Sequence, residues 1–125
     1  MKRALLIFFI VFIIMQFIQP NKENTTVDKN LEIKAPFEVM NILKTSCFDC
    51  HSNEVKYPWY SDIAPFSWVV ANHVNTGRKA LNFSIWENYS PEKKEEKLKE
   101  IFRTAYASMP LPSYIYDHEE ADLSK

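Results

Sequence analysis

The sequence predicts an all-α fold, a small helical domain that follows one apolar N-terminal helix. Apolar residues recur at helical spacing in several stretches, and no stretch shows the convincing alternation of a β-strand. The 125 residues suffice for one small domain rather than two. The chain has a single glycine, which excludes glycine-rich phosphate loops and dinucleotide fingerprints.

The charge balance argues against nucleic acid as a partner. The formal net charge is −1, and apart from Lys2 and Arg3 the chain carries 13 basic and 16 acidic residues. Nucleic-acid binding depends on a basic surface that neutralises phosphates, and this mildly acidic chain has no basic stripe. We therefore expect no nucleic-acid partner.

Residues 1–18 have the pattern of a retained signal anchor. Lys2 and Arg3 precede an apolar run, Ala4 to Met15, and no pair of small residues follows that a signal peptidase would cleave. As a helix, residues 4–18 would span about 22 Å against a hydrocarbon core of about 30 Å, so spanning needs snorkelling or local thinning of the bilayer. The basic flank keeps the N-terminus cytoplasmic. We expect a single-pass transmembrane helix, with the rest of the chain outside the cytoplasm.

Residues 19–34 are rich in Asn, Lys, Glu, Thr and Asp. This composition is typical of a polar tether, which as a flexible coil would reach about 20–24 Å. It would hold residues 35–125, the predicted domain, close to membrane lipid.

Helical spacing and helix-start signals predict the elements of that domain. A first helix follows Pro36, with Phe37, Met40, Leu43 and Cys47 on one face. A second starts at Pro65 and has Gly77 placed as its C-cap; its apolar face comprises Phe66, Val69, Val70, His73, Val74 and Gly77. A third starts with Ser90 as N-cap and Pro91 as first residue, and it ends before Pro110. Its predicted buried face is Leu98, Ile101, Phe102 and Ala105.

The segment Cys47-Phe48-Asp49-Cys50-His51 holds both cysteines of the chain. C-x-x-C-H is the attachment signature of c-type haem. Residues at i, i+3 and i+4 lie on one side of a helix, so two thiols can add to the haem vinyl groups while His51 ligates the iron. The extracytoplasmic location suits this prediction, because c-type haem is attached there.

Two alternatives compete with haem at this motif. Cys47 and Cys50 might form a redox-active or structural disulfide, although a thioredoxin-like use needs a βαβ pattern that the chain lacks. A zinc site would need a fourth ligand beyond the two cysteines and His51, drawn from His73 or His118 at unfamiliar spacing.

The sixth iron ligand has four candidates. Met109 is favoured because Pro110 and Pro112 stiffen the loop that carries it. Met40 is expected to fill the core. His73 lies on an apolar helix face, and His118 sits among Asp117, Glu119 and Glu120 and is expected to be solvated. An open distal site is the remaining possibility. Trp59 and Trp68 are candidates for packing on the haem, where an indole N–H could reach a propionate.

Several motifs occur together in an order that resembles the haem-binding domain family of cytochrome-c-like proteins, known mainly from Bacteroidetes. These are Cys47 to Asn53, Tyr57-Pro58-Trp59-Tyr60, Ile63-Ala64-Pro65, Trp68, Leu81 to Ser84, and Met109 to Tyr114. The resemblance covers about residues 35–118. It implies one covalently bound haem c, ligated by His51 and Met109, in a membrane-tethered periplasmic domain at the bacterial inner membrane. Members of the family usually continue into a final amphipathic helix, which residues 35–125 are expected to lack.

The predicted function depends on whether protein side chains fill both axial positions of the haem iron. With both axial positions filled, the iron can exchange one electron with little rearrangement, so we expect an electron carrier with unknown redox partner proteins rather than an enzyme. A haem-based sensor or ligand-binding module, in which Met109 is displaced or absent, is the alternative. A small peroxidase would need an acid–base group on the distal side, for which His73 is the only semi-plausible candidate.

Overall fold

The computed structural model describes residues 1–26 and 28–124, and every regular element in them is helical. The all-α prediction is thus confirmed for this part of the chain. Val27 of the predicted tether and Lys125 of the predicted domain lie outside the described residues. The α-helices are α1 (Lys2–Gln16), α2 (Phe37–Ser46), α3 (Phe48–His51), α4 (Phe66–Ala80), α5 (Pro91–Ala107) and α6 (Pro112–Ile115). Four 3₁₀ turns cover Lys29–Leu31, Trp59–Asp62, Phe83–Asn88 and Glu119–Ala121.

Helix α1 forms where the apolar N-terminal run predicted a helix, and its side chains are largely exposed. Its last residue is fixed to the rest of the protein. The Gln16 side-chain amide pairs with both backbone groups of Ala64, at 2.9 Å to the N–H and 3.2 Å to the carbonyl. Among residues 1–26 and 28–124, no helix combines the length and the apolar character needed to cross a membrane.

The predicted tether, residues 19–34, is hydrogen-bonded along the body. The Asn24 side chain accepts from the Val55 N–H at 3.1 Å and donates to the Val55 carbonyl at 3.0 Å. The Ile33 N–H donates to the Phe83 carbonyl at 2.9 Å, and the Ile33 side chain is buried in the core. Lys22 pairs with Asp62. Because it is held at several points, the segment packs as a strap rather than as the free coil that its composition predicts.

The core is a cluster of large apolar side chains between α2, α3 and the turn Phe83–Asn88. Phe48 stacks on Phe83 with ring centroids 5.4 Å apart and planes 10° from parallel. Trp86 lies 6.3 Å from Phe83 and extends the stack toward Tyr89. Such aromatic contacts stabilise beyond the area that they bury. The cluster comprises Ile33, Leu43, Phe48, Leu81, Phe83 and Trp86, with Met40 packed against it. Met40 is therefore a core-filling residue, as expected.

Gly77 is not a helix C-cap. Helix α4 continues to Ala80 and ends with Leu81 as its cap. The need for glycine arises from close backbone packing of α4 on α3, because a Cβ on Gly77 would overlap the Cys50 carbonyl oxygen and lie 3.3 Å from the Cys50 Cβ. The prediction that Gly77 caps the helix was therefore wrong. This position needs glycine because glycine has no side chain, and not because of its conformational freedom.

Gly77→Ala should therefore destabilise the protein. The added methyl group meets backbone, which cannot rotate away, so we expect a loss of about 3 kcal/mol, the upper end for overpacking. Urea unfolding of the variant measures it, with Lys79→Ala on the exposed side of α4 as the matched control. A Gly77→Ala variant as stable as Lys79→Ala would contradict the close contact.

Candidate functional site

A cavity of about 900 Å³ opens between the C-x-x-C-H motif and α4 on one side and α5 with the Met109 loop on the other. Its wall is predominantly apolar, and Cys47, Cys50 and His51 all line it. The size lies at the upper end of the range for small-molecule and cofactor sites. The motif thus lies on the wall of a large apolar pocket.

His51 is held by the end of helix α4. Its Nδ1 lies 3.0 Å from the Gly77 carbonyl oxygen and 3.1 Å from the Leu81 carbonyl oxygen. Carbonyls only accept hydrogen bonds, so Nδ1 carries the proton and the lone pair is on Nε2. Burial lowers the pKa of His51, which these two bonds oppose, and the ring is neutral at pH 7. Histidines that ligate metals commonly donate one ring N–H to a carbonyl, which orients the ring and leaves the lone pair of the other nitrogen for the metal, and His51 has this arrangement.

The two cysteines are free thiols that are partly buried at the cavity wall. Cys47 caps the N-terminus of α3, while Cys50 lies within that helix. Burial raises the pKa of Cys47 to about 11, with a further contribution from Cys50. Burial and the charge of Asp49 raise the pKa of Cys50. Both sulfurs are protonated at pH 7, the opposite of the depressed thiol pKa that redox-active cysteines require.

The zinc alternative needs four ligands. Within residues 1–26 and 28–124, the structure contains no cluster of three or more His, Cys, Asp or Glu side chains placed to hold a metal ion.

The apolar face predicted for α4 and half of the face predicted for α5 line this cavity. The whole predicted face of α4 lines it, including Phe66 and Val69, which are 59% and 52% exposed. From α5, Ile101 and Ala105 line the wall. Leu98 and Phe102, predicted to be buried, are instead 54% and 79% exposed, so the prediction was wrong for these two residues. The predicted side of α4 faces a cavity rather than close-packed protein.

Two of the four distal candidates line the cavity, Met109 and His73. Met109 follows the end of α5, where its N–H donates to the Thr104 carbonyl at 2.8 Å. His73 lies on the exposed part of α4 that borders the same space. His118 is only partly exposed, because its ring stacks on Tyr114 at 4.3 Å, so the expectation of a solvated His118 was wrong. Met40 packs in the core.

The two tryptophans differ in placement. Trp59 borders the cavity with its ring largely exposed and edge-on to Tyr60. The Trp68 indole N–H, which we expected to reach a propionate, donates instead to the Ile18 carbonyl at 2.6 Å. Trp68 thus connects α4 to Ile18, which lies between α1 and the strap.

Polar contacts around the motif were missed by sequence reasoning. The buried Asn82 side chain donates to the Asn53 side-chain oxygen at 2.8 Å, and the Asn53 N–H donates to the Ser84 hydroxyl at 3.0 Å. Arg78 donates to the Ser52 carbonyl at 2.7 Å rather than facing the cavity. These bonds fix the loop that leaves His51. The polar and aromatic residues around Phe83 were the available signal for these contacts in the sequence, but the residues that they contact are distant in the chain.

An all-helical domain that turns C-x-x-C-H toward one large apolar cavity has the organisation of a haem-binding protein. The comparison with protein families agrees: the chain matches the haem-binding domain family over residues 10–125. It belongs to that family, which confirms the resemblance found in the sequence. Neither the curated proteins nor the solved structures contain a significant match.

Proposed function

We propose that the chain binds one haem c covalently through Cys47 and Cys50, with His51 as the proximal iron ligand. The observation that carries this proposal is the paired bond from His51 Nδ1 to the Gly77 and Leu81 carbonyls. It places the lone pair on Nε2, and the same ring lies beside two protonated thiols on one cavity wall. The haem supplies a one-electron iron centre when bound, and its potential depends on the axial ligands.

Met109 is the proposed distal ligand. It lines the same cavity as His51, and the backbone bond to Thr104 fixes the start of its loop. Lys56 and Arg103, also on the wall, are cations that suit the two propionates of a haem. Trp59 is proposed to cover part of the haem face. We do not extend that role to Trp68, because its indole N–H is used elsewhere.

The function that this coordination supports is electron transfer rather than catalysis. With His51 and Met109 on the iron, both axial positions are filled, and electrons pass with little rearrangement. The redox partners are other proteins of the same compartment. A haem-based sensor is the second candidate, favoured by one observation: Met109 is 38% exposed and sits on a loop, so an exogenous ligand could displace it.

The proposed location is the periplasmic side of a bacterial inner membrane. The basic flank of α1 and its exposed apolar side chains support attachment to membrane lipid. Covalent haem attachment outside the cytoplasm fits this side of the membrane. With the strap packed on the body, the haem domain would lie close to the lipid surface.

Carbon monoxide binding separates the carrier from the sensor. The chain is matured in a host that attaches haem c, and its ferrous absorption spectrum is recorded before and after carbon monoxide is added. We expect a low-spin spectrum that shifts only slowly in the wild type and at once in Met109→Ala. A wild-type spectrum that shifts at once would contradict the carrier and favour the sensor. His73→Ala is the matched control, because it alters the second candidate ligand on the same cavity.

A further inference from the structure

The Asp49 carboxylate, between the two cysteines of the motif, is bonded through both oxygens. Oδ1 accepts from the Lys56 N–H at 3.1 Å, which ties down the loop after the motif. Oδ2 accepts from the Tyr114 hydroxyl at 2.7 Å. Tyr114 is 65 residues away in the chain, so this bond joins two remote segments. Bonds to a charged acceptor are among the stronger hydrogen bonds in proteins.

Tyr114 belongs to α6, which directly follows the Met109 loop. The loop is fixed at its other end as well, because the Met109 N–H donates to the Thr104 carbonyl of α5. The short segment between Met109 and Tyr114 therefore spans the distance from α5 to the C-x-x-C-H motif. Both Met109 and Tyr114 line the cavity.

Two further aromatic residues lie at the same segment. Tyr60 of the body lies near Asp117, just beyond α6, and burial together with that carboxylate raises the pKa of Tyr60. The His118 ring stacks on Tyr114 with ring planes 25° apart, which restrains the tyrosine ring. Residues 109–118 are thus held to the motif side of the cavity by the bond from Tyr114 to Asp49.

We propose that Tyr114 and Asp49 form a clamp that positions Met109 over the cavity and so limits the access of exogenous ligands to the haem iron. Tyr114 is a positioning residue in this account, since it acts through the loop and not on the iron. The inference rests on the proposed haem attachment and on Met109 as the distal ligand. The proposal gives a role to Asp49, the second variable residue of C-x-x-C-H. Its carboxylate connects the motif that carries His51 to the loop that carries Met109.

The test compares Tyr114→Phe with Tyr116→Phe in the haem-loaded chain. Tyr116 is 86% exposed at the end of the same short helix, so its variant controls for the chemical change. Three quantities are measured: covalent haem per chain, the rate at which carbon monoxide binds the ferrous protein, and the far-red absorption band of ferric iron bound to methionine sulfur. For Tyr114→Phe we expect unchanged haem, a weaker band and a rate at least about tenfold higher.

Each outcome decides a different claim. If Tyr114→Phe binds carbon monoxide no faster than Tyr116→Phe, the clamp is overturned. If Met109→Leu leaves the wild-type rate unchanged, Met109 is not the barrier, and the clamp fails while haem attachment stands. If the wild type carries no covalent haem, the proposed function itself fails before any variant is compared. Should Tyr114→Phe fold poorly, Asp49→Ala breaks the same bond from the acceptor side, and a rate equal to that of the wild type overturns the proposal.

A double mutant separates the clamp from a general loosening of the fold. Asp49→Ala removes the acceptor, so adding Tyr114→Phe to it should raise the carbon monoxide rate no further. Rates that multiply in the double mutant would show two independent effects and contradict the clamp.

Discussion

A chain in which Cys47 and Cys50 are both replaced by alanine is expected to carry no covalently bound haem. The two thiols are the only ones in the sequence, and both lie at the cavity wall beside His51. Without them no thioether can form, so any haem held by His51 alone would leave the chain on denaturation. Because a bound group stabilises the folded state, the variant should also unfold at lower urea concentration.

The measurement for this prediction is haem staining of the denatured chain after electrophoresis. The single variant Cys47→Ala provides the control, since Cys50 can still form one thioether and retain some stain. Stain in the double variant equal to the wild type would show that the thiols do not hold the haem.

Replacing His51 by alanine is expected to convert the ferrous spectrum from low-spin to high-spin and to open the iron to carbon monoxide. The imidazole lone pair is lost, and the thioethers alone cannot fill an axial position. The change also removes the donor to the Leu81 carbonyl, which costs about 1–3 kcal/mol for an acceptor left unpaired, whereas the Gly77 carbonyl still accepts from the Leu81 N–H. The free energy of unfolding should fall accordingly.

Added imidazole should restore the low-spin spectrum of His51→Ala, since the cavity left by the side chain admits the free base. His73→Ala, on the same cavity, is the matched control and should keep the wild-type spectrum. If His73→Ala reproduced the loss while His51→Ala kept a low-spin spectrum, the assignment of the proximal ligand would be wrong.

The elements that local chemistry determines were predicted from the sequence. Ser90 caps α5 through its hydroxyl, which accepts from the Lys93 N–H at 3.3 Å, and Pro91 is the first residue of that helix. Pro65 precedes the first residue of α4 as predicted. The C-x-x-C-H motif predicted the position of the site because its spacing places three reactive groups on one side of a short helix. Each of these signals acts within a few residues.

Features that depend on remote contacts were not predictable. Gly77 has a role only because α4 packs against the Cys50 backbone, and the strap is fixed by pairs such as Asn24 with Val55. Leu98 and Phe102 are exposed although the periodicity predicts them to be buried, because the spacing of apolar residues does not show which of them the rest of the fold covers. The bond from Tyr114 to Asp49 likewise joins segments whose proximity only the fold creates.

His51 and Met109, on the two sides of the cavity, are held in place in different ways. On the proximal side, His51 is bonded to the end of a 15-residue helix that packs closely on the motif. On the distal side, Met109 lies in a loop restrained at its ends by Thr104 and Tyr114. His51, the proposed proximal ligand, is therefore fixed by the fold, while the position of Met109, the proposed distal ligand, depends on two hydrogen bonds. If the proposed ligation holds, this difference would let the same scaffold serve a carrier or, with a weaker clamp, a sensor.

The mass of the wild-type chain under denaturing conditions tests the central claim most directly. The chain is produced in a host that attaches haem c, alongside a control cytochrome that reports successful maturation. We expect the mass of the polypeptide plus one haem, with the absorption of the haem remaining on the unfolded chain. A mass equal to that of the polypeptide alone, while the control is loaded, would contradict covalent haem binding by Cys47 and Cys50.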